Sequence, residues 1–312
     1  MKQYYRRVAV VAIIIAAVLG SVGLLAQGVD KFKDIRIQTQ KVRDGIYMLT
    51  GRGGNIGVLV GKDGVVMIDD QFAPLTGRIK AAIAKLSDQP IRFLINTHWH
   101  GDHTGGNENL GKEGVVIVAH DNVYQRMSRE GFLALFQKSV PPAPEKARPV
   151  ISFNDQVTFH LNGMEIHAAH YEHAHTDGDS VIYFKDANVI HTGDIFFNGR
   201  YPFIDTSSGG SVRGVIQAVR QIMSFTNNQT KLIPGHGLLA GKKDLQAYLD
   251  MLLTVSHRMQ KLITEGKTLD EIKALKPNAD YDAALGNNLI SPDKFLEILY
   301  EDLKMNNKQD RY

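Results

Sequence analysis

The sequence predicts an α/β protein in which two mixed β-sheets pack face to face and carry helices on their outer faces, an αβ/βα sandwich. Two observations lead to this fold class. A series of short strands followed by a helix occurs in the first half of the chain, and the same order returns in the second half. No long linker, repeat or low-complexity tract separates the two series. Both can therefore share one core.

The first half begins with three short segments rich in Val, Ile and Tyr, which Gly and Asp turns separate. These segments are GIYMLTG, NIGVLVG and GVVMIDD, between residues 45 and 70. Lys62-Asp63-Gly64 predicts a hairpin turn between the second and the third. Apolar side chains then recur at helical spacing near 75–88, and Pro90 ends this helix. The apolar segment 91–96 predicts a buried strand.

The middle of the chain predicts a strand at 115–118 and a helix around 121–137, followed by the proline-rich run VPPAPEKARPV. Residues 128–149 carry apolar side chains, among them Phe132 and Phe136. Two interpretations remain open. The stretch forms a lid over a substrate site, or it is a surface helix that buries its apolar side chains on the core, which we favour.

The second half predicts four strands, a helix at 211–225 and a short strand at 231–233. The four strands are expected at 157–161, 164–171, 180–185 and 188–193. From residue 241 onward the pattern is helical, with a capping box at Thr268. We divide the chain into an export segment at 1–28, a main domain at 29–240 and a helical extension at 241–312 that packs on it or forms a dimer contact.

Residues 1–28 predict an export signal. Three basic residues precede an apolar run of 19 residues from Val8 to Ala26, and small residues follow where a signal peptidase cleaves. The run is also long enough to span a bilayer. We favour a cleaved signal over a retained anchor because no second hydrophobic span follows. Either way we expect a periplasmic or secreted protein, with membrane contact only through this segment if it is kept.

The composition excludes several classes of function. The chain has no cysteine, which excludes disulfides, thiolate metal sites, iron–sulfur clusters and a cysteine nucleophile. Lys and Arg number 36 against 33 Asp and Glu, a net charge of +3, so nothing indicates nucleic acid as a partner. A metal site must therefore use carboxylates and some of the 12 histidines.

The segment THWHGDHTGG, residues 97–106, carries the strongest chemical signal. Four candidate metal ligands fall within six residues directly after a predicted strand: His98, His100, Asp102 and His103. His98 and His100 are two residues apart and point the same way in an extended segment. Asp102 and His103 can face a second point nearby. Packing four ionisable side chains after an apolar strand is costly unless something satisfies them.

Three further candidates follow later strands. His175 and Asp194 each come after a predicted strand, and His236 lies in a Pro-Gly-His-Gly loop after the strand at 231–233. The seven side chains suffice for two metal ions. Imidazole with a few carboxylates favours zinc, with iron or manganese as alternatives. We assign no metal-binding role to the remaining histidines.

These residues resemble the metallo-β-lactamase superfamily. The matching pattern is His-x-His-x-Asp-His at 98–103, then a lone His175, then Gly-Asp at Asp194, then Pro-Gly-His-Gly at His236. The resemblance covers about residues 40–240 and implies the sandwich fold with a site for two metal ions. The implied ligands are His98, His100 and His175 for one ion and Asp102, His103 and His236 for the other, with Asp194 shared. Asp69 resembles the family's carboxylate that orients a metal-binding histidine.

The resemblance implies a hydrolase in which a hydroxide bridging two zinc ions attacks the carbonyl carbon of an ester, a thioester or a β-lactam. Asp102 would also handle the proton. The best-known lactamases of the superfamily have Cys at the position of Asp194 and a Lys three residues later, and this chain has neither. Asp at this position is more similar to glyoxalase II and general hydrolases, so β-lactamase activity is one option among several.

For the pocket of a small-molecule substrate we expect Trp99 from the ligand segment and Phe197, Arg200 and Tyr201 from the aromatic loop 196–205. Arg200 would serve as an anion partner. One alternative function is a phosphodiesterase acting on nucleic acid, which the near-neutral charge disfavours. Another is a mono-iron redox protein of the same fold, which the full set of seven ligands disfavours.

Overall fold

Two β-sheets and a small hairpin contain the strands of the computed structural model, which describes residues 31–309, with side chains as far as 304. The strands are β1 (Gln38–Arg43), β2 (Ile46–Thr50), β3 (Ile56–Leu59), β4 (Val65–Ile68), β5 (Ile91–Ile95), β6 (Val116–His120), β7 (Gly131–Leu133), β8 (Lys138–Val140), β9 (Ile151–Phe153), β10 (Gln156–Leu161), β11 (Met164–His170), β12 (Ser180–Phe184), β13 (Val189–His191) and β14 (Lys231–Ile233). The export signal expected at 1–28 lies outside the described residues. Between residues 31 and 309, no helix is both long and apolar enough to cross a membrane.

The first sheet has seven strands in the order β1-β2-β3-β4-β5-β6-β9. Its first four strands are antiparallel neighbours, as short segments joined by tight turns should be. From β4 to β9 the neighbours run parallel. Parallel neighbours need crossover connections, so the carboxyl ends of β4, β5 and β6 open at one edge of the sheet, where their loops gather.

The second sheet has five strands in the order β10-β11-β12-β13-β14. It is antiparallel up to β13, and the last pair, β13 and β14, is parallel. The carboxyl ends of β13 and β14 therefore lie side by side. The strands β7 and β8 pair only with each other, as a hairpin.

Alternate residues of β12 pack into two different hydrophobic cores. On β12, Ile182 and Phe184 lie in the core between the sheets, with Ile68 and Ile95 of the first sheet. Val181, between Ser180 and Ile182, belongs to the core on the helical side of the second sheet. This arrangement confirms the predicted αβ/βα sandwich.

The helices supply the outer layers. They are α1 (Thr76–Ile83), α2 (Gly101–Thr104), α3 (Asn107–Lys112), α4 (Asp121–Met127), α5 (Val212–Phe225), α6 (Lys242–Thr264), α7 (Leu269–Leu275), α8 (Ala279–Leu285) and α9 (Pro292–Gln309). On α5, Val215, Val219 and Ile222 form the buried stripe that a period of 3.6 residues requires. Leu252 of α6 and Phe295 of α9 are fully buried in the same core. Burial of each such side chain contributes roughly 1.5–3 kcal/mol, so the C-terminal helices stabilise the second sheet from outside.

The stretch after β6 differs from the expectation. The sequence predicts a helix around 121–137, but α4 ends at Met127 and residues 131–140 form the β7–β8 hairpin. Met127 is buried, whereas Phe132 and Phe136 are 48% and 39% exposed. A longer helix would have no core against which to pack its second half. The interpretation of this stretch as a surface helix with buried apolar side chains is therefore wrong for both phenylalanines.

Candidate metal centre

The structure brings the seven predicted ligands together in two groups. His98, His100, His175 and Asp194 form one group, and Asp102, His103 and His236 form the other. Within each group one ligand atom per residue lies within 4.8 Å of all the others. The ligands come from segments that follow strands of both sheets, at the edge where carboxyl ends of strands gather, and two of them, Asp102 and His103, lie on the short helix α2.

In the first group three imidazole rings converge on one point. Nδ1 of His100 lies 3.1 Å from Nε2 of His98 and 2.9 Å from Nε2 of His175. Oδ2 of Asp194 lies 3.7 Å from Nε2 of His98 and 3.6 Å from Nε2 of His175. All four side chains are buried.

In the second group one carboxylate and two imidazoles converge. Nε2 of His236 lies 3.3 Å from Oδ2 of Asp102 and 3.4 Å from Nε2 of His103. Asp194 also touches this group, since its Oδ1 lies 3.1 Å from Nε2 of His103 and its Oδ2 lies 3.4 Å from Nε2 of His236. Asp194 is thus in contact with both groups.

The hydrogen bonds at the far side of the rings show that the first group fits a metal ion. Nδ1 of His175 lies 2.7 Å from the carbonyl oxygen of Phe203, and Nε2 of His100 lies 3.0 Å from Oδ2 of Asp205. Those two nitrogens must donate, because their partners only accept. In neutral rings the opposite nitrogens then carry lone pairs, and these face each other at 2.9 Å. A cation between them resolves the repulsion, and the donor set is one that zinc prefers.

The pKa values of the first group agree with this fit. Burial lowers the pKa of His98 well below its ordinary value, and burial outweighs the neighbouring Asp194 carboxylate to lower the pKa of His175 to about 4. Both rings are therefore neutral near pH 7, as metal ligation requires.

The second group has the opposite electrostatics. Burial alone would lower the pKa of His236, but the carboxylates of Asp194 and Asp102 outweigh it and raise this pKa to about 9. The same contacts have the opposite effect on Asp102. Burial raises the pKa of its carboxyl, but the His103 and His236 imidazoles outweigh burial and lower this pKa below its ordinary value. Without a metal ion this group balances its carboxylates with imidazole protons, which a bound ion would displace.

Asp69 holds the first-sheet ligand segment in place. Its Oδ2 lies 2.7 Å from Nδ1 of His103 and accepts a hydrogen bond of 2.7 Å from Oγ1 of Thr97, and its Oδ1 accepts the backbone N–H of Thr97. The backbone of Asp69 is left-handed, with φ of 60°, which is uncommon outside glycine. The carboxylate is thus positioned to orient His103, as the resemblance implies; its role stays a prediction.

Asp205 is a functional residue that the sequence analysis missed. It ends the aromatic loop 196–205, and its carboxylate orients His100 from outside the metal ligands. The side chain is buried, and the backbone N–H of Ser208 donates to it. A signal existed, because a lone acidic residue at the end of an apolar loop close to predicted ligands needs a partner.

Two positions require glycine because the backbone there lies too close to a candidate ligand to leave room for a Cβ atom. A Cβ atom on Gly235 would lie 2.0 Å from Oδ1 of Asp194, and one on Gly54 would lie 2.1 Å from Cε1 of His103. Asn55, next in the chain, donates through Nδ2 to the carbonyl oxygens of Pro234 and Gly237. These contacts hold the His236 loop, and the sequence analysis missed the part of Asn55 in them.

A cleft of about 760 Å³ opens beside the second group. Asp102 and His236 form part of its wall, and Arg52 and Arg200 supply positive charge. Of the residues expected in the substrate pocket, Arg200 lines this cleft. The Phe197 ring stacks on the His236 ring at 5.2 Å between centroids.

The other two expected pocket residues lie elsewhere, and this corrects the expectation. Tyr201 is 1% exposed, its ring stacks on Phe295, and its hydroxyl donates to Asp282. Trp99 belongs to the ligand segment, but its side chain is buried in a small cluster with Val123 and Met127. Large aromatic rings gain more from these cores than from a solvated cleft.

Comparisons with known proteins show what the chain is similar to. A family model described as the metallo-beta-lactamase superfamily matches residues 49–236. The chain is similar to an atrochrysone carboxyl ACP thioesterase of Aspergillus fumigatus, with 24% identity over 67% of this chain and 42% of that protein. It is also similar to a metallo-beta-lactamase type 2 of Bacteroides fragilis, with 22% identity over 48% of this chain and 55% of that protein.

Among solved structures, a stereoselective inverting sec-alkylsulfatase of Pseudomonas sp. has the same fold. The TM-score is 0.62 at 19% identity, over 85% of this chain and 50% of that chain. The chain spans about half the length of the two curated relatives named above. By their names, these three relatives are hydrolases: a thioesterase, a β-lactamase and an alkylsulfatase.

Proposed function

The chain belongs to the metallo-β-lactamase superfamily, and on this premise we propose that it is an exported hydrolase that uses two zinc ions to cleave an ester or thioester. The observation that carries the proposal is the position of Asp194, whose two carboxylate oxygens contact both groups of candidate ligands. A carboxylate shared in this way supports two metal ions. It argues against the alternative of a single iron.

The first metal ion would be held by His98, His100 and His175, and the second by Asp102, His103 and His236, with Asp194 shared. Two zinc ions would supply a nucleophile at neutral pH and polarise the carbonyl oxygen of the substrate.

The chain's own residues orient this chemistry and handle the proton. Asp102 lines the cleft and stays ionised near pH 7 because the His103 and His236 imidazoles lower its pKa. Its carboxylate is therefore placed to accept the proton that the attacking water loses. Phe197 fixes the His236 ring by stacking. Arg200 offers positive charge to a substrate anion at the wall of the cleft.

Two arguments favour esters and thioesters over β-lactams. This chain has Asp194 where the best-known lactamases have cysteine, and it lacks their lysine three residues later. The thioesterase relative also matches two thirds of the chain, more than the lactamase does.

The proposal of export rests on residues 1–28. Mass spectrometry of the mature N-terminus from periplasm and medium tests it, and a full-length chain recovered from the cytoplasm would refute it.

The decisive experiment combines metal analysis with a substrate panel. We expect two zinc ions per chain and turnover of a short acyl thioester and an aryl ester, with a chromogenic cephalosporin and an aryl phosphodiester cleaved slowly or not at all. His100→Ala should abolish turnover. His257→Ala, which changes an exposed histidine on α6, should match the unmodified protein. One iron per chain would refute the dinuclear zinc site. Preferential cleavage of the cephalosporin or the phosphodiester would refute the substrate class.

A further inference from the structure

Two leucine side chains in the wall of the cleft are unusually exposed. Leu238 and Leu289 are each 78% exposed, and among the large apolar side chains that the structure describes these two are the most exposed. Single exposed leucines are common on protein surfaces. These two are far apart in sequence, yet both line the same cleft as Asp102 and His236. Their apolar surface therefore lies beside the candidate metal centre.

The backbone around Leu238 is held in place by hydrogen bonds. Nδ2 of Asn198 donates to the carbonyl oxygen of Leu238 at 3.0 Å, and Nδ2 of Asn55 donates to that of Gly237 at 2.9 Å. Two residues further on, the backbone pairs with β14 through two hydrogen bonds of 2.9 Å. The exposed Leu238 side chain is thus carried by a fixed backbone.

Leu289 comes from the C-terminal extension. It lies in the loop 286–291 between α8 and α9, and its neighbour Ile290 is buried in the core that covers the second sheet. Nδ2 of Asn278 donates to the carbonyl oxygen of Pro292, just after this loop. The family match ends at residue 236. Leu289 is therefore a part of the cleft that the C-terminal helices supply.

The cleft combines apolar contact with access to the metal centre. The side chains of Asp102 and His236 are 28% and 16% exposed, so a group in the cleft can reach them. Phe72 adds an aromatic ring to the wall beside the two leucines. The volume of about 760 Å³ lies within the range of about 300–1,000 Å³ that small-molecule pockets occupy.

We propose that the cleft holds the aliphatic acyl chain of the substrate against Leu238 and Leu289, and that the C-terminal extension thereby sets the acyl-chain length that the enzyme prefers. This inference rests on the proposed hydrolysis, because it needs the carbonyl group of the ester or thioester at the metal centre. The acyl chain is the apolar part of such thioesters, since the thiols that commonly carry acyl groups are polar. An aliphatic chain on the two leucines removes apolar surface of both partners from water, which is favourable.

The test compares the S-ethyl thioesters of acetic, butyric, hexanoic and octanoic acid, with the purified, metal-loaded protein. Full burial of one methylene group is worth about a fourfold change in an equilibrium constant, and an open cleft covers a chain only in part, so we expect kcat/KM to rise about twofold per methylene group. The rise should come from KM, because the chain lies away from the reacting atoms.

The two leucines should account for this preference. Leu238→Ala and Leu289→Ala should each lower the ratio of kcat/KM for the octanoyl thioester to that for the acetyl thioester by about threefold or more, and leave the acetyl thioester unchanged. Leu275→Ala, at the end of α7, is the matched control, because this leucine is 57% exposed and does not line the cleft. All three substitutions are at exposed positions and should leave the thermal midpoint unchanged.

A binding measurement separates this inference from the proposed function. N-ethyl octanamide should bind at least about tenfold more tightly than N-ethyl acetamide in calorimetry, and both leucine variants should reduce the difference. If none of the thioesters is cleaved, the proposed hydrolysis fails, and these two amides alone decide whether the cleft binds an acyl chain. Equal binding of the two amides, or a chain preference that neither variant changes, would overturn the inference.

Other occupants of this wall would give different results. A preference for S-octyl over S-ethyl thioacetate that both variants abolish, with none along the acyl series, would assign the leucines to the leaving group. A changed sedimentation coefficient in Leu238→Ala or Leu289→Ala would assign them to contact with a second copy of the chain. Loss of binding to phosphatidylcholine vesicles, with an unchanged chain preference, would assign them to a lipid surface. Each of these three results would overturn the acyl-chain site.

Discussion

The two halves of the metal centre are built in different ways. The first sheet supplies His98, His100, Asp102 and His103 from one short segment after β5. The second sheet supplies its three ligands from three separate loops, after β11, β13 and β14. The first half is thus determined by local sequence, with Asp69 as its support. The second half exists only when the second sheet and its helices are packed.

Asp194 of the second half contacts both ligand groups, and its loss should have the largest effect. Asp194→Asn keeps the shape of the side chain but removes the charge that faces both groups. We expect kcat/KM to fall at least about a thousandfold, a loss of about 4 kcal/mol of transition-state stabilisation, and zinc to fall below two ions per chain. Kinetics with metal analysis checks this. Asp250→Asn on α6 is the control, and an Asp194→Asn protein that kept two zinc ions and full activity would show that no carboxylate is shared.

The pH dependence should separate the two groups. In the metal-free fold the pKa of His236 is raised to about 9, so its proton stabilises the fold below pH 6.5, and this stabilisation is lost as the pH rises through 9. The loss amounts to at most about 3 kcal/mol. A metal ion must displace that proton, so zinc affinity should rise roughly a hundredfold between pH 6.5 and 9.

Urea unfolding of the metal-free protein and zinc titrations at both pH values measure this dependence. His236→Gln should reduce the slope of both curves. The slope that remains should belong to His103, whose pKa the carboxylates of Asp194, Asp102 and Asp69 raise well above its ordinary value against the effect of burial. His175 has a pKa lowered to about 4 and is neutral throughout this range, so His175→Gln should retain the slope while weakening the first group. A slope that His236→Gln left unchanged would assign the proton to another residue.

Asp69→Asn should weaken the first half of the centre. One amide cannot accept from both Nδ1 of His103 and the two groups of Thr97 as the carboxylate does. Loss of a residue that orients a ligand costs about 10- to 100-fold in metal affinity. Zinc competition with a chelator measures it. Asp63→Asn, in the turn between β3 and β4, controls for loss of charge on the same sheet, and unchanged affinity in Asp69→Asn would make Asp69 a turn residue only.

The comparison also explains what could be predicted from sequence. The strand patterns gave the sandwich because alternation and short turns are local, and the helix at 211–225 appears as Val212–Phe225. The ligands from His98 to His103 could be predicted because all four lie on one short segment. The parts of Asp205 and Asn55 could not be predicted because their partners are distant in sequence. His100 lies 105 residues from Asp205, and the His236 loop lies at least 179 residues from Asn55. Tyr201 was misplaced because the apolar loop 196–205 does not reveal that α9 covers it.

Asp205→Asn, the second-sheet counterpart of Asp69→Asn, should have the smallest effect. Asp205 orients one ligand, His100, through one oxygen, while its other oxygen accepts the backbone N–H of Ser208. The asparagine side chain can turn its one oxygen to Nε2 of His100 and keep that ligand oriented. Its amide then faces the backbone N–H of Ser208, so the cost falls on the loop more than on the ligand. We expect a loss of zinc affinity below about tenfold at the first group and an unchanged pH slope, because His236 is untouched. Chelator competition on both variants side by side checks the order. If Asp205→Asn proved more damaging than Asp69→Asn, His100 of the first half would depend on a carboxylate from the distant loop 196–205 more than that half depends on Asp69. The description of the first half as locally built would then be wrong.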